Sequence, residues 1–375
     1  MEDRRSRLSV FVAFVVALLA AATFAACGDD DDDGGDGGGG GGGGEGAKVA
    51  LLLPETKTTR YEKQDRPNFE RRVKELCPDC EVLYSNADQD PAKQQQQAEA
   101  AITQGAKVIV ISAVDVASAA TIVQRAKQSD VKVIAYGRLI PDAEIDYYVS
   151  IDPFKVGQQQ AEVQMDALDE AGTKNPRVVM INGAPTDSNA KPYKDGAREV
   201  LEERGAKIVK AYDTPDWSPD KAQQQMEQSI TALGKDGFDA VYSANDGMAG
   251  GAIAALKGSN IDPASRYVTG QDAELAGIQR ILIGEQLMTV YQPINDIAET
   301  SAELAVPIAQ GKEPPADLAT EKVDNGAKQV PSVLLDTISV VPDNIESTVV
   351  KEDFLEVGDI CTGPYADACK EVGLQ

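Results

Sequence analysis

The sequence predicts an α/β protein built on parallel sheets, because short apolar runs alternate with helix-length amphipathic segments. At 375 residues the chain exceeds what one hydrophobic core usually supports, so we expect two lobes. Ligands of parallel sheets bind outside the carboxyl ends of the strands, so the candidate site lies there. The predicted strands are Val49–Pro54, Glu81–Asn86, Val108–Ser112, Val131–Gly137, Tyr147–Asp152, Arg177–Gly183, Lys207–Asp213, Ala240–Asn245, Tyr267–Asp272 and Leu287–Gln292. The helical patterns between them include Pro91–Gln104, Pro153–Ala171 and Pro219–Leu233.

Residues 1–27 are typical of an export signal, since basic residues precede the apolar stretch 8–22 and small residues lead into Cys27. The run Phe24–Cys27 (FAAC) resembles a bacterial lipobox, which predicts lipidation of Cys27. An uncleaved membrane anchor and plain secretion are the alternatives, because Leu8–Ala26 approaches the roughly 20 residues that span a bilayer. Each alternative places the folded part outside the cytoplasm, and lipidation would hold it on the outer face of the cytoplasmic membrane.

Residues 28–46 are rich in Asp and Gly, a composition that cannot bury apolar surface and that predicts a disordered tether. The formal charge of −25 argues against a nucleic-acid partner, because binding to phosphates needs a basic surface.

Four cysteines remain besides Cys27, and an even set in an oxidising compartment indicates two disulfides. Four thiols allow three pairings, of which closeness in sequence favours Cys77 with Cys80 and Cys361 with Cys369. A redox-active Cys77–Cys80 pair is disfavoured, because this motif follows a helix and precedes a strand. A zinc site is disfavoured too, since only one pair has zinc-finger spacing. We expect no metal and no cofactor.

Polar and aromatic residues at the strand ends have the chemistry that recognises a sugar. Sugars present vicinal hydroxyls and apolar C–H faces, which need planar carboxylate, amide and guanidinium groups as well as aromatic rings. The candidates that follow or end predicted strands are Arg60, Tyr61, Arg138, Asp187, Asn189, Trp217, Asn245, Asp272 and Gln292.

Around these residues the sequence resembles the D-xylose-binding family of periplasmic monosaccharide-binding proteins, from about Lys48 to Val350. The segments that carry the resemblance are Arg60–Lys63 (RYEK), Tyr136–Ile140 (YGRLI), Asp187–Lys191 (DSNAK), Ser243–Ile253 (SANDGMAGGAI), Gly270–Gly277 (GQDAELAG) and Thr289–Ile294 (TVYQPI).

The resemblance implies the type I periplasmic-binding-protein fold, in which three crossings join two Rossmann-like lobes and a sugar lies between them. We expect crossings near Asp152–Phe154, Tyr291–Pro293 and Asn325–Val330. The N-terminal lobe would then comprise residues 47–153 and 293–325, and the C-terminal lobe residues 154–292 and 326–350. Residues 351–375 form a tail beyond the resemblance. The family delivers sugar to the permease of an ATP-driven (ABC) importer, and we expect a monomer.

Carried over by position, the resemblance assigns Arg60 and Arg138 to the sugar from the N-terminal lobe. The residues assigned from the C-terminal lobe are Asp187, Asn189, Asn245 and Asp272. Tyr61 and Trp217 would sandwich the ring. The family usually has Asp where this chain has Gly137 and Lys where it has Gln292, which leaves the identity of the sugar open.

Several candidates also have an ordinary structural explanation. Asp187 and Asn189 could cap the following helix, as could Asn245 or Asp246; we favour Asn245 as the ligand residue and Asp246 as the cap. Gln292 is equally well explained as a hinge residue beside Pro293.

Binding without catalysis is the predicted activity. The chain has no histidine and no nucleophile elbow, which disfavours an enzyme, although Asp187 and Asp272 could resemble a glycosidase pair. A sugar-responsive transcription regulator is disfavoured by the export signal. A sensor that presents sugar or an autoinducer to a membrane receptor is the alternative to transport.

Overall fold

The computed structural model describes residues 46–374, so Cys27 and all but the end of the predicted tether lie outside the described residues. Within this range the strands in chain order are β1 (Lys48–Leu53), β2 (Glu81–Asn86), β3 (Ala106–Ile111), β4 (Lys132–Tyr136), β5 (Tyr147–Ile151), β6 (Arg177–Asn182), β7 (Lys207–Asp213), β8 (Ala240–Ser243), β9 (Thr289–Tyr291), β10 (Glu321–Asp324), β11 (Gln329–Leu335) and β12 (Ile338–Val340). The helices are α1 (Arg66–Leu76), α2 (Pro91–Thr103), α3 (Ala119–Gln128), α4 (Pro153–Glu170), α5 (Ala190–Glu203), α6 (Pro219–Leu233), α7 (Asp246–Gly258), α8 (Leu275–Leu282), α9 (Ile294–Ala309), α10 (Val357–Ile360) and α11 (Ala366–Glu371). Shorter helical turns occupy Tyr61–Asp65, Pro215–Trp217, Pro263–Arg266, Pro342–Asn344, Glu346–Val350 and Gly363–Tyr365.

The N-terminal lobe contains a seven-stranded sheet in the order β10-β11-β5-β4-β3-β1-β2. Its strands pair in parallel except β10, which pairs antiparallel with β11. Residues 49–53 of β1 are buried on both faces, as expected for a central parallel strand covered by helices on each side. This agrees with the predicted α/β architecture.

The C-terminal lobe contains the parallel sheet β7-β6-β8 and the short antiparallel pair β12-β9. The predicted strand Tyr267–Asp272 runs between β8 and β9 but is not a regular strand. The Ser243 amide donates to Thr269 Oγ1 (2.9 Å) instead of to a backbone carbonyl, and this side chain interrupts the ladder. Val290 N still donates to Gly270 O (3.2 Å) and Asp272 N to Val290 O (2.9 Å), so the segment still lies between β8 and β9.

Three long helices begin where a capping side chain precedes a proline. The Asp90 carboxylate accepts from the amides of Ala92 and Lys93, and the Asp152 carboxylate accepts likewise at the start of α4. Ser218 caps α6 through the Lys221 amide. Proline at the first helical position has no amide hydrogen to leave unpaired, so these starts were predictable.

Two of the three predicted crossings agree with the structure. The chain leaves the N-terminal sheet after β5 at Asp152 and returns to it between β9 and α9 at Gln292–Pro293. The third prediction, Asn325–Val330, is wrong: β11 pairs with β5 from Ser332 to Leu335, so the chain crosses between β11 and β12, at residues 336–337. Residues 329–335 therefore belong to the N-terminal sheet rather than to the C-terminal lobe.

The segment after β12, which includes the tail 351–375, packs onto the C-terminal lobe near the second crossing. Its buried residues Ile345, Phe354 and Ile360 share an apolar cluster with Ile278 and Tyr291. The structure contains the disulfides Cys77–Cys80 and Cys361–Cys369, which is the favoured pairing. None of the helices within residues 46–374 combines the length and apolar character needed to cross a bilayer.

Candidate functional site

A cleft between the carboxyl ends of the two parallel sheets brings all nine sequence-predicted residues together. It is lined by Thr58, Arg60, Tyr61, Ser112, Tyr136, Gly137, Arg138, Asp187, Asn189, Tyr193, Trp217, Asn245, Gln271, Asp272, Gln292 and Ile297. Arg60 and Tyr61 stand at the start of the helical turn 61–65 that leads into α1, rather than in an irregular loop.

Arg60 is fixed by a buried carboxylate behind it. Its Nε and Nη2 atoms donate to Asp65 Oδ2 and Oδ1 (3.0 and 2.7 Å), and Asp65 Oδ1 also accepts from the Tyr136 hydroxyl. The remaining terminal nitrogen, Nη1, donates to Gln292 Oε1 (3.2 Å) and lies 3.7 Å from Asp272 Oδ1. A bidentate pair restricts the guanidinium geometrically, so Arg60 presents its Nη1 edge to the opposite lobe.

Arg138 crosses the cleft directly. Its Nε lies 2.7 Å from Asp187 Oδ2, an ion pair between the lobes in which both side chains are buried. Nη1 donates to the Ala113 carbonyl (2.7 Å) and Nη2 to the Tyr61 hydroxyl (3.4 Å). A guanidinium has five N–H groups. Arg60 donates three of its N–H groups to other described residues and Arg138 donates two, besides its ion pair with Asp187, so both keep N–H groups for further acceptors.

Trp217 forms an aromatic wall of the cleft in the C-terminal lobe. Its Nε1 donates to Asp187 Oδ2 (3.2 Å), and its ring meets Tyr193 edge-on with centroids 6.3 Å apart. A methyl group at Gly183 would lie 2.1 Å from the indole Cη2, so the ring position depends on that glycine. Trp217 and Asp272 both have positive φ angles (51° and 88°), a strain that is often stored at functional sites.

The contacts of Asp187 and Asn189 differ in how they fit the alternative that each residue caps the following helix. Asp187 Oδ1 accepts from the Asn189 amide (2.8 Å), a local turn of the kind expected before a helix. The Asn189 side chain makes no cap bond to α5. Instead it donates to the Gly137 carbonyl (2.7 Å), which lies in the other lobe. Asn189 is therefore an interlobe contact at the cleft rather than a cap.

The prediction that Asp246 caps α7 is wrong, and the prediction that Asn245 contacts the ligand stays a prediction. Asn245 lines the cleft and is also the cap of α7, since its Oδ1 accepts from the Met248 amide (2.9 Å). Asp246 is not the cap. It is fully buried below the cleft, where it accepts from Gln286 (2.6 Å), Thr289 (2.9 Å) and the Glu274 amide (2.9 Å).

Gln292 bridges the two lobes as a neutral group. Its Oε1 accepts from Arg60 and its Nε2 donates to Asp272 Oδ1 (3.0 Å), so it satisfies a cation on one side and a carboxylate on the other. It also directly precedes the second crossing beside Pro293, and its role as a ligand residue stays a prediction. Gly137 has a φ of 71° and open space where a side chain would stand.

Several cleft residues were not predicted. Tyr193 and Gln271 line the cleft, and Asp65 supports Arg60 from behind. Gln160 of α4 ties the segments before Asn245 and Gln271, because its Nε2 donates to the carbonyls of Ser243 (3.0 Å) and Gly270 (2.9 Å). Gln271 adjoins a predicted strand end and was detectable, whereas Asp65, Gln160 and Tyr193 lie in helical segments far from any strand end.

Burial sets the ionisation of the cleft. It raises the pKa of the Tyr61 hydroxyl to about 12, so this group is a neutral donor at physiological pH. It also raises the pKa of Asp272, and Arg60 acts against that shift. No group of three histidine, cysteine or acidic residues within 46–374 could hold a metal ion. The cleft therefore offers hydrogen-bond donors, acceptors and aromatic faces.

Comparison with known proteins identifies the fold. Residues 49–313 match the family model of the periplasmic binding protein domain. The chain is 37% identical over 311 residues to the D-xylose-binding periplasmic protein of Escherichia coli, covering 82% of this chain and 90% of that protein. It is 32% identical over 328 residues to the multiple sugar-binding periplasmic receptor ChvE of Rhizobium radiobacter, covering 83% and 92%.

A solved structure has the same architecture. An ABC transporter solute-binding protein from Clostridium phytofermentans with bound β-D-glucose superposes with a TM-score of 0.75 at 29% identity, covering 84% of this chain and 99% of that one. These matches agree with the prediction of binding without catalysis. The chain belongs to the periplasmic binding protein family.

Proposed function

We propose that this protein captures a monosaccharide, a pentose or hexose such as xylose, in the cleft between its lobes and delivers it to an ABC sugar importer. The observation that carries the proposal is the composition of the cleft. Two guanidinium groups with unused N–H groups face the carboxylates of Asp187 and Asp272, beside the rings of Trp217 and Tyr61. Planar charged groups hold pairs of hydroxyls and rings hold C–H faces, which is the combination a sugar requires.

The names of the relatives support the ligand class. Proteins 37% and 32% identical to this chain are named for binding D-xylose and multiple sugars, and similar solved structures hold D-glucose. All nine proposed ligand residues, from Arg60 to Gln292, line one cleft. We expect the sugar to bridge the lobes and to stabilise their contact, because its hydrogen bonds with both lobes exist only when the lobes meet.

A thermal-shift panel of pentoses and hexoses tests the proposal. A ligand that binds only the native state raises the melting temperature by mass action, so at least one sugar should do so. Asp272→Asn should lower the affinity for that sugar about ten- to a hundredfold, because a hydrogen bond to a charged group contributes about 1.5–3 kcal/mol. Calorimetry measures this affinity.

Asp343→Asn is the matched control, since Asp343 is exposed in the turn after β12. If no sugar shifts the melting temperature, or if Asp272→Asn binds as tightly as Asp343→Asn, the cleft is not a sugar site of this kind.

The position of the protein in the cell is part of the same proposal. The basic residues 4–7, the apolar stretch 8–22 and Cys27 favour a lipoprotein whose lipid holds it to the outer face of the cytoplasmic membrane. The Asp- and Gly-rich segment 28–46 would then act as a tether for a monomeric binding domain. The importer permease is the partner in this arrangement.

Sensing is the second candidate function. The relative from Rhizobium radiobacter is named a receptor, which favours presentation of bound sugar to a membrane partner. Capture in the cleft is common to both functions, so the sugar panel tests the shared step.

A further inference from the structure

Glu274 makes a contact between the lobes outside the set of proposed ligand residues. It immediately precedes α8 of the C-terminal lobe and is 8% exposed. Its Oε1 accepts from the backbone amide (3.0 Å) and the hydroxyl (3.3 Å) of Thr59. Thr59 lies between β1 and the turn 61–65 in the N-terminal lobe, next to Arg60. This pair of hydrogen bonds therefore exists only while the lobes are in contact.

The surroundings of Glu274 disfavour a negative charge. Asp246 accepts from the Glu274 backbone amide (2.9 Å), and Asp272 lies two residues before it. Arg280 of α8 is the cation that acts on it from its own lobe. A crevice beside the carboxyl group is lined by Arg60 and Lys63 from the N-terminal lobe and by three acids from the tail: Asp353, Glu356 and Asp359.

The balance of these effects raises the pKa of Glu274 to about 8. Burial is the largest cause, followed by the charges of Asp246 and Asp272, while the Thr59 amide and Arg280 act in the opposite direction. Removal of a carboxylate from water disfavours its charged form, and carboxylates close by add repulsion.

We propose that Glu274 is a proton-dependent latch between the lobes. The neutral carboxyl group accepts the two Thr59 hydrogen bonds when the lobes meet, and a proton moves from solvent onto the carboxylate as they close. This inference rests on the proposed function, because it makes capture of sugar the event that drives proton uptake.

The direction of the pH dependence follows from the surroundings of Glu274 in the open and in the closed form. When the lobes separate, the Glu274 carboxyl group gains water. This removes burial, the largest cause of the raised pKa, and outweighs the loss of the Thr59 hydrogen bond, which lowers the pKa, so the pKa falls toward the ordinary value of 4.5. The closed form therefore holds more protons than the open form between about pH 4.5 and about pH 8. Closure is favoured at low pH, and this advantage is lost as the pH rises to about 8.

Two other buried acids need to be distinguished from Glu274. Asp246 bonds to Gln286 and Thr289 within its own lobe, so separation of the lobes leaves its hydrogen-bond partners in place. Asp272 faces Arg60 across the cleft, and a cation there favours its charged form. Glu274 alone of these three accepts uncharged hydrogen-bond donors from the other lobe.

Calorimetric titration with D-xylose and D-glucose in buffers of different ionisation enthalpy measures the protons taken up. At pH 6.5 the wild-type protein should take up about one proton per sugar bound, and its affinity should fall about tenfold per pH unit toward pH 8. Glu274→Gln resembles the neutral acid and should show no uptake and a nearly flat affinity. Glu356→Gln is the matched control, an exposed glutamate at the same crevice, and should behave as wild type.

Small-angle scattering without sugar gives a second measurement. The wild-type radius of gyration should increase from pH 6 to pH 9, whereas that of Glu274→Gln should stay constant. The latch is refuted if sugar binds without proton uptake, or if Glu274→Gln keeps the wild-type pH dependence in either measurement. Failure of both sugars to bind would contradict the proposed function instead, and scattering would still decide whether the latch exists.

Discussion

The indole of Trp217 depends on a single glycine for its place in the cleft. Gly183 directly follows β6, and a methyl group there would stand 2.1 Å from the indole Cη2. The opposite edge is constrained by the hydrogen bond to Asp187 and by Tyr193. The ring can therefore accommodate added volume only by moving toward the ligand space.

Gly183→Ala should weaken sugar binding, because overpacking of this kind typically costs about 1–3 kcal/mol. When this cost falls on the sugar-bound form, in which the displaced indole meets the ligand, it corresponds to roughly five- to 150-fold in affinity. Trp217 is the only tryptophan in the chain, so its emission reports the cleft without interference. The variant should shift the emission maximum and lower the affinity in a fluorescence titration.

Gly258→Ala is the control, because a methyl group at that exposed glycine of α7 meets no atom within 4 Å. Equal affinities for the two alanine variants would show that the indole tolerates displacement.

The residues that could be predicted from sequence are those that have sugar-binding chemistry and also stand at the end of a predicted strand. Trp217, Arg138 and Asp272 follow apolar runs, and the family motifs fix their order. The cap of α7 was assigned to Asp246 instead of Asn245 because both residue types cap helices equally well. Only the pairing of Asp246 with Thr289 and Gln286, about 40 positions away, decides which one caps.

At the scale of elements, nine of the ten predicted strands are present, whereas β10, β11 and β12 were not predicted. Strands β2 and β7 have the predicted bounds. The third crossing was misplaced because β11 joins the N-terminal sheet by pairing with β5, more than 180 residues earlier. No local pattern encodes such a pairing. Segment 267–272 is irregular because the side chain of its own Thr269 accepts the hydrogen bond of the Ser243 amide in β8, and no local pattern encodes that contact either.

The tail is an element that the sequence left without a role. Phe354 packs edge-on against Tyr291 of β9 with centroids 5.2 Å apart, next to the second crossing. Its carbonyl accepts from Gln64 (2.7 Å), and Gln279 of α8 donates to the carbonyls of Asp359 and Ile360 (both 3.2 Å). The tail thus contacts both lobes and covers apolar residues of the C-terminal lobe.

Phe354→Ala should lower the free energy of unfolding by about 3–5 kcal/mol, the usual cost of removing a buried phenyl ring. Phe354 is 4% exposed, whereas Val372 in the same tail is 37% exposed. Val372→Ala is therefore the control and should change stability by less than about 0.5 kcal/mol. Urea unfolding measures both variants, and similar midpoints would mean that the tail is not part of the cooperative core.

At the scale of the whole molecule, the net charge and the burial of acidic groups both lower the stability of the fold as the pH rises. The formal charge of −25 gives self-repulsion that grows as the remaining acids ionise. Asp246 has its pKa raised to about 7, first by burial, and Glu274 has its pKa raised to about 8. Both groups therefore bind protons more tightly in the folded chain than in the unfolded chain.

The melting temperature should consequently fall as the pH rises from 5 to 9. A folded-state pKa above the unfolded value contributes stability that is present below the unfolded value, here 3.8 for Asp246, and is lost as the pH rises through about 7. Salt separates the two causes: at about 1 M the Debye length is about 3 Å, so surface repulsion is screened while the buried contribution persists.

Asp246→Asn tests the buried contribution directly by thermal denaturation across this pH range. It should lower the melting temperature at pH 5, because an amide nitrogen would have to face the Gln286 side-chain amide that now donates to Asp246. Its melting temperature should nevertheless fall less steeply through pH 7 than that of the wild type, in high salt as well as in low salt. Asp343→Asn, which changes an exposed acid, should keep the wild-type slope. If the wild-type slope disappears in 1 M salt, surface repulsion alone accounts for it, and burial of Asp246 carries no proton linkage.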